Sequence, residues 1–126
     1  MKIELDSENP VSNKIISYSD DSFTLKDKVI KSNLVISNDR LIENWSVADY
    51  KILALQHMEA IIEWQPEIIL LGTGKESGFQ NYELLSSLAS KNIGLEIMNT
   101  GAACRSYNLL IDEGRNVVAC LFLNAV

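Results

Sequence analysis

Two glycine-bearing turns and the polar residues that follow one of them are the places where this sequence could do chemistry. Gly72-Thr73-Gly74 ends the apolar run Glu67-Ile68-Ile69-Leu70-Leu71, and a turn at the end of a strand presents backbone N–H groups that can hold an anion. Neither the Walker pattern nor the dinucleotide-binding glycine pattern is complete there. The plainer reading of these glycines is positive φ and close packing. Thr100-Gly101 follows the next apolar run, Gly94-Leu95-Glu96-Ile97-Met98. In an open α/β sheet the turns at the carboxyl ends of neighbouring strands are where ligands sit. Arg105, Tyr107 and Asn108 then offer a cation, a hydroxyl and an amide, a set suited to a carboxylate or phosphate but not to bond-breaking. The candidate ligand site is therefore Gly72, Thr73, Gly74, Thr100, Gly101, Arg105, Tyr107 and Asn108. The alternative is Tyr107 in the core, with Arg105 and Asn108 solvated on an amphipathic helix.

No other residue adds a reactive pair. Glu96 interrupts an apolar strand, and a buried carboxylate there needs a cationic partner, which Arg105 or Arg115 supplies in a structural ion pair. The only histidine, His57, sits beside Met58 and Glu59 with no second titrating group near it in sequence. Cys104 falls in the first turn of an expected helix, where a dipole lowers a thiol pKa, yet a buried cysteine is ordinarily a small hydrophobe. The chain's two cysteines, one histidine and scattered carboxylates lack metal-ligand spacing. No catalytic residue, metal or cofactor is expected.

The elements that must position these residues are readable from periodicity. Ile15–Tyr18, Phe23–Leu25, Val29-Ile30 and Leu34–Ile36 carry β signals and form a meander of short antiparallel strands, with Leu41–Trp45 as one further strand. Ile52, Leu55, Met58 and Ile62 recur at helical spacing and mark one face of a helix that ends near Trp64, before Pro66. The runs from Glu67 and Gly94 read as buried strands joined by a helix through Leu84, Leu85 and Leu88, a parallel βαβ unit. Thr100 is placed to cap a third helix with Ala103, Tyr107, Leu110 and Ile111 inward and Gly114 at its end. Val117–Leu123 closes the sheet. The expected fold is α/β, three-layered, with a mixed central sheet, helices packed on it and the N-terminal antiparallel meander alongside.

Bulk properties bound the function classes. A chain of 126 residues, 47% hydrophobic and 22% charged, fits one globular domain spanning 1–126. Eleven Lys and Arg against seventeen Asp and Glu leave a net charge of −6 without a basic patch, which argues against nucleic acid. The opening Met-Lys-Ile-Glu-Leu-Asp resembles no leader and no apolar run is long enough to span a bilayer, so a cytoplasmic protein with reduced thiols is expected.

The segments Ile69–Gly74, Gly94–Asn108 and Glu113–Arg115 together resemble a small domain family of unknown function found in bacteria and archaea. Its mitochondrial members include NADH dehydrogenase (complex I) assembly factor 3. The likeness covers most of the chain and is strongest from Trp64 onward. It implies the three-layer fold with the meander against the sheet, and it implies that Trp45 lies on a strand. Asn99 stands where the family has Asp and Ser106 where Thr is common, which removes an ionised side chain at 99. The resemblance implies a non-enzymatic accessory protein that binds protein partners, respiratory-complex subunits or assembly factors among them, with a homodimer as a reasonable form in their absence. The competing expectation is a small-molecule (anion) binder or enzyme using the Gly72–Gly74 and Thr100–Asn108 loops.

Overall fold

The computed structural model describes residues 12–123; residues 1–11, on which the reading of the N-terminus rested, and 124–126 lie outside the described residues. A five-stranded mixed sheet forms the middle layer, in the order β5 (Leu41–Ile42), β4 (Leu34–Ser37), β8 (Val117–Phe122), β6 (Ile68–Thr73), β7 (Gly94–Met98). The strands β6, β7 and β8 are parallel, and β4 runs antiparallel to β8. All six residues of β8 and five of the six in β6 are buried. That is why both read as unbroken apolar runs: a strand covered on both faces has no solvent side to make polar. Thr73 pairs with Phe122, and Gly72 with Met98, so the three parallel strands finish level at one edge of the sheet.

Each face of the sheet carries its own core. On one side Val35, Ile69, Leu71, Leu95, Val118 and Phe122 pack against Tyr50, Leu53, Met58 and the helices α1 (Glu59–Glu63) and α2 (Tyr82–Ala89). On the other, Leu34, Ile36, Leu70, Ala119 and Leu121 meet Ala103, Cys104 and Tyr107 of α3 (Thr100–Asp112) and the meander's Phe23, Leu25 and Ile30. The meander is a separate three-stranded antiparallel sheet, β1 (Ser17–Tyr18), β2 (Phe23–Thr24) and β3 (Val29–Ile30). The expected three-layer α/β fold, with the meander alongside a mixed sheet, is the observed one.

Four local readings change. The run Leu34–Ile36 leaves the meander and joins the central sheet, because its residues are buried on both faces and a two-stranded edge could not cover them. β5 stops at Ile42, so Trp45 lies on no strand; it follows Asn44, at φ 52°, and tilts against Phe122 with ring centroids 5.3 Å apart. The expected helix before Trp64 is two 3-10 turns, Tyr50–Ile52 and Leu55–Met58, and then α1. Leu53 between the turns is extended at ψ 128°, which breaks the helical register and turns Ile52 and Leu55 outward while Met58 stays buried. Finally, α3 is capped by Asn99, whose Oδ1 accepts from the Ala102 N–H at 2.8 Å, and Thr100 is the first helical residue. Gly114, at φ 76°, ends that helix as its sequence implies.

Candidate functional site

The two turns named in the sequence lie side by side where β6, β7 and β8 end. The Gly74 N–H donates to Thr100 Oγ1 at 2.7 Å, and the Thr100 N–H returns a bond to the Gly74 carbonyl at 2.8 Å. Thr100 Oγ1 in turn donates to the Phe122 carbonyl at 2.6 Å, so one hydroxyl ties the ends of β6 and β8 to the start of α3. Thr73 Oγ1 is shared between the carbonyls of Glu76, at 2.9 Å, and Met98, at 3.1 Å. Gly72 is required by close approach: a Cβ there would stand 3.0 Å from the Thr100 Cα and 3.0 Å from Leu121 Cδ2. Gly74 is required by its φ of 72°.

Two hollows flank this knot and share Gly74, Phe122 and Leu123. One, of about 250 Å³, is lined by Tyr18, Asp20, Lys75, Asn99, Thr100 and Gly101. The other, of about 260 Å³, is lined by Asp49, Tyr50, Lys51, Thr73 and Glu76. Lys75 Nζ lies 3.2 Å from the Asp20 carboxylate across the first hollow. Charges of both signs and amide groups make this cleft suited to a small polar molecule held by several weak bonds.

The structure places Gly74, Thr100 and Gly101 on the first hollow and Thr73 and Gly74 on the second. Arg105, Tyr107 and Asn108 of α3 line neither hollow, though Arg105 bonds Tyr18 of the first one's wall. Arg105 Nη1 donates to Tyr18 Oη at 2.9 Å, Tyr107 Oη donates to the Asn13 carbonyl at 2.6 Å, and Asn108 bonds both backbone groups of Ile15. Lys14 pairs with Asp112 on the next turn of the same helix. These side chains lash the N-terminal segment along α3 and are engaged there. Tyr18, the last of that segment, lies over Gly101 so closely that a Cβ would come 2.4 Å from its hydroxyl oxygen.

The expected ion pair of Glu96 is overturned. β7 is the outermost strand of the sheet, its face toward α3 is open at Glu96, and the carboxylate is exposed. Arg115 binds Glu67 instead, Nε to Oε1 at 2.8 Å, at the opposite end of β6. The Arg115 guanidinium and the Asn116 N–H hold the Glu67 carboxyl below its ordinary range. His57 lines neither hollow; its Nδ1 accepts from the Ala54 N–H at 2.9 Å. Burial pushes the Cys104 thiol up to about 12, against the pull of Arg105, and raises Cys120 as well, so both stay protonated at neutral pH. Burial and the nearby Asp39 charge also raise Tyr107. Among the described residues no group of three or more His, Cys, Asp or Glu converges to hold a metal.

Lys75 and Asn99 of the cleft adjoin the glycine turns and were legible as neighbours. Tyr18, Asp20, Asp49 and Lys51 were not, because only the folding of the meander and of the 3-10 turns brings them to the strand ends.

Among the described residues no helix is long and apolar enough to cross a membrane. The chain is 31% identical over 91 residues to a 13 kDa major membrane protein of Francisella tularensis subsp. holarctica, covering 71% of this chain and 73% of that one. It is 30% identical over 110 residues to NADH dehydrogenase (ubiquinone) 1 alpha subcomplex assembly factor 3 of Xenopus tropicalis, covering 85% of this chain but 59% of the relative, so it spans less than two thirds of that protein's length. An NMR structure of a Xanthomonas campestris protein matches with a TM-score of 0.83 at 27% identity, covering 98% of this chain and 93% of that one. Residues 15–122, which include both cores and the knotted turns, match the family described as Protein of unknown function (DUF498/DUF598), and the chain belongs to that family.

Proposed function

We propose that the protein acts by association, as an assembly-factor-like accessory that binds protein partners rather than turning over a substrate. The observation that carries this reading is the 30% identity to a complex I assembly factor across 85% of this chain. The side chains of Arg105, Tyr107 and Asn108, which were candidates for a ligand site, are engaged in holding the N-terminal segment, and that is compatible with this reading. The partners proposed are respiratory-complex subunits or their assembly factors. The test is affinity purification of the tagged chain from its native cell after brief cross-linking. Enrichment of complex I subunits over a tag-only control supports the reading, and their absence sinks it.

A second reading rests on the cleft itself, which sits where open α/β sheets place ligands. In it, a small anion or polar metabolite binds between Lys75, Asn99 and the N–H of Gly101, the Thr100 N–H being bonded to the Gly74 carbonyl. Titration with inorganic phosphate and with small carboxylates, followed by amide NMR shifts at 74–75 and 99–102, supports this reading if shifts saturate there and dismisses it if none do.

A further inference from the structure

Along one side of β7 the backbone is left without a neighbour. The strand order β5-β4-β8-β6-β7 puts it at the end of the central sheet, and at five residues it is the longer of the two edge strands, β5 having two. The Gly94 N–H donates to the Glu67 carbonyl at 3.0 Å. In the parallel ladder that follows, Gly94, Glu96 and Met98 therefore turn their backbone groups to β6, and Leu95 and Ile97 turn theirs away from the sheet. Among the described residues no partner meets those outward N–H and C=O groups. The space beside them is open: Gly94 and Glu96 are exposed, and apart from its chain neighbours the atoms nearest a Cβ on Gly94 belong to Glu67 and Ile68, on the β6 side.

Such a strip of donors and acceptors is filled by extended backbone. A helix keeps its N–H and C=O groups for itself, whereas a strand laid along β7 meets the groups of both Leu95 and Ile97. Antiparallel pairing is the more stable per residue, and it sets two residues of the incoming segment opposite Leu95 and Ile97 with one between them opposite Glu96. The outer two lie on the α2 side, where Ile97 is only half-buried against the core. The middle one lies on the α3 side, where Glu96 stands beside Leu70 of β6, exposed and, among the described residues, in no ion pair. Opposite charges across a strand pair attract and like charges repel, so the side chains this edge matches run apolar, basic, apolar.

A second copy of β7 does not meet that description. Paired about a two-fold axis so that Leu95 and Ile97 bond on both sides, it sets Glu96 against its own counterpart. Shifted by two residues one way, Leu95 faces the other copy's Asn99, whose carbonyl already accepts from the Ala103 N–H at 3.0 Å. Shifted the other way, Ile97 faces Ile93, whose N–H already donates to the Leu88 carbonyl at 3.0 Å. The net charge of −6 adds repulsion at longer range.

We propose that the free edge of β7 is a protein-binding surface that takes one extended segment of a partner, antiparallel to Gly94–Met98, with a lysine or arginine beside Glu96 between two apolar side chains. This rests on the association reading above and names its surface.

The probe is a capped peptide of about seven residues, with valine–lysine–valine at its centre and threonine on the flanks. One control replaces the lysine with glutamate; the other N-methylates both valines, which keeps the side chains and removes two ladder donors. In the free isotope-labelled chain the amides of Leu95 and Ile97 should exchange quickly with solvent while that of Glu96 is protected. The lysine peptide should shift amides within 93–99 and slow exchange at Leu95 and Ile97. It should bind about fivefold more tightly than the glutamate peptide and about tenfold more tightly than the N-methylated one. Glu96→Lys, at an exposed position and checked for retained amide dispersion, should invert the preference so that the glutamate peptide binds better. Protection of the Leu95 and Ile97 amides in the dilute free chain, an N-methylated peptide that binds as well as its parent, an order of peptides unchanged by Glu96→Lys, or dimerisation of the chain through β7 would overturn the proposal. The native purification separates the two ideas. If Glu96→Lys brings down complex I subunits in undiminished amount, the edge proposal fails and association stands; if the wild-type chain brings down none while the lysine peptide pairs with β7, association with those subunits fails alone.

Discussion

The side-chain amide of Asn108 bonds both backbone groups of Ile15, Nδ2 to the carbonyl at 2.8 Å and Oδ1 from the N–H at 3.0 Å. It does for Ile15 what a neighbouring strand would do, and it comes from a helix. Ile15 is buried in the α3-side core while Ile16 beside it is exposed, so this amide holds the segment at the depth that seats Ile15. Asn108→Ala should therefore lower stability by about 2 kcal/mol, the loss of two hydrogen bonds of about 1 kcal/mol each. Asn108→Asp, which keeps the acceptor and loses the donor, should fall between the two. Urea unfolding of the three proteins tests the order, and an alanine variant as stable as the parent would show that the bonds hold nothing.

The two glycines that meet α3 should respond differently to alanine. At Gly72 the new methyl would press on the Thr100 backbone and on Leu121, neither free to move, so Gly72→Ala should cost roughly 1–3 kcal/mol. At Gly101 it would meet the outer ring atoms of Tyr18, a partly exposed side chain that can swing away. The helix gains up to about 1 kcal/mol from alanine there, which offsets the lost Arg105–Tyr18 bond and leaves stability nearly unchanged. Thermal melts compare the pair; a large loss at Gly101 would mean that Tyr18 is fixed.

Glu67 gives a pH signature. Its carboxyl is held below its ordinary value of 4.5, first by Arg115 and then by the Asn116 N–H. A group whose pKa is lower in the folded state stabilises the fold above its unfolded pKa, and that contribution disappears as pH falls through the folded one. Glu67→Gln should thus flatten part of the fall in stability below about pH 4.5 and change the neutral plateau little, because the pair is exposed. Stability measured from pH 7 downward checks it, and superimposable acid limbs would contradict it.

At high pH the sign reverses. Tyr107 is raised by burial, so the folded state keeps the phenol protonated where the unfolded chain ionises it. Stability tied to this group is whole below its unfolded value of 10.0 and is lost as pH climbs above it. Tyr107→Phe should remove that alkaline loss while costing about 1 kcal/mol at neutral pH through the missing bond to Asn13.

Periodicity found the strands and helices whose burial is complete on a face. β6 and β8 read as apolar runs because both their faces are covered, and α2 and α3 show their inward stripes. It misread Ile52 and Leu55, whose spacing matches a helix that Leu53 does not allow to continue, and Glu96, whose flanking apolar residues could not reveal that β7 is an edge. The turns at Gly74 and Thr100 were legible as neighbours because strand order and parallel direction bring them together. The partners of Arg105, Tyr107 and Asn108 were not, since each lies more than eighty residues away on a segment whose docking is set by the tertiary fold.

The hydroxyl of Thr100 joins the ends of β6 and β8, and its removal is the most direct test of the knot at the cleft. Thr100→Val preserves shape and burial but leaves the Gly74 N–H and the Phe122 carbonyl without the group that now binds both. Each buried polar group left unmet costs about 1–3 kcal/mol, so the variant should lose roughly 2–6 kcal/mol. Thr100→Ser keeps the hydroxyl, gives up one methyl and should lose about 1 kcal/mol. Faster hydrogen exchange at the Gly74 amide in the valine variant would locate the damage. Valine at 100 should also alter any phosphate-induced shifts at 99–102, since Thr100 lines the first hollow.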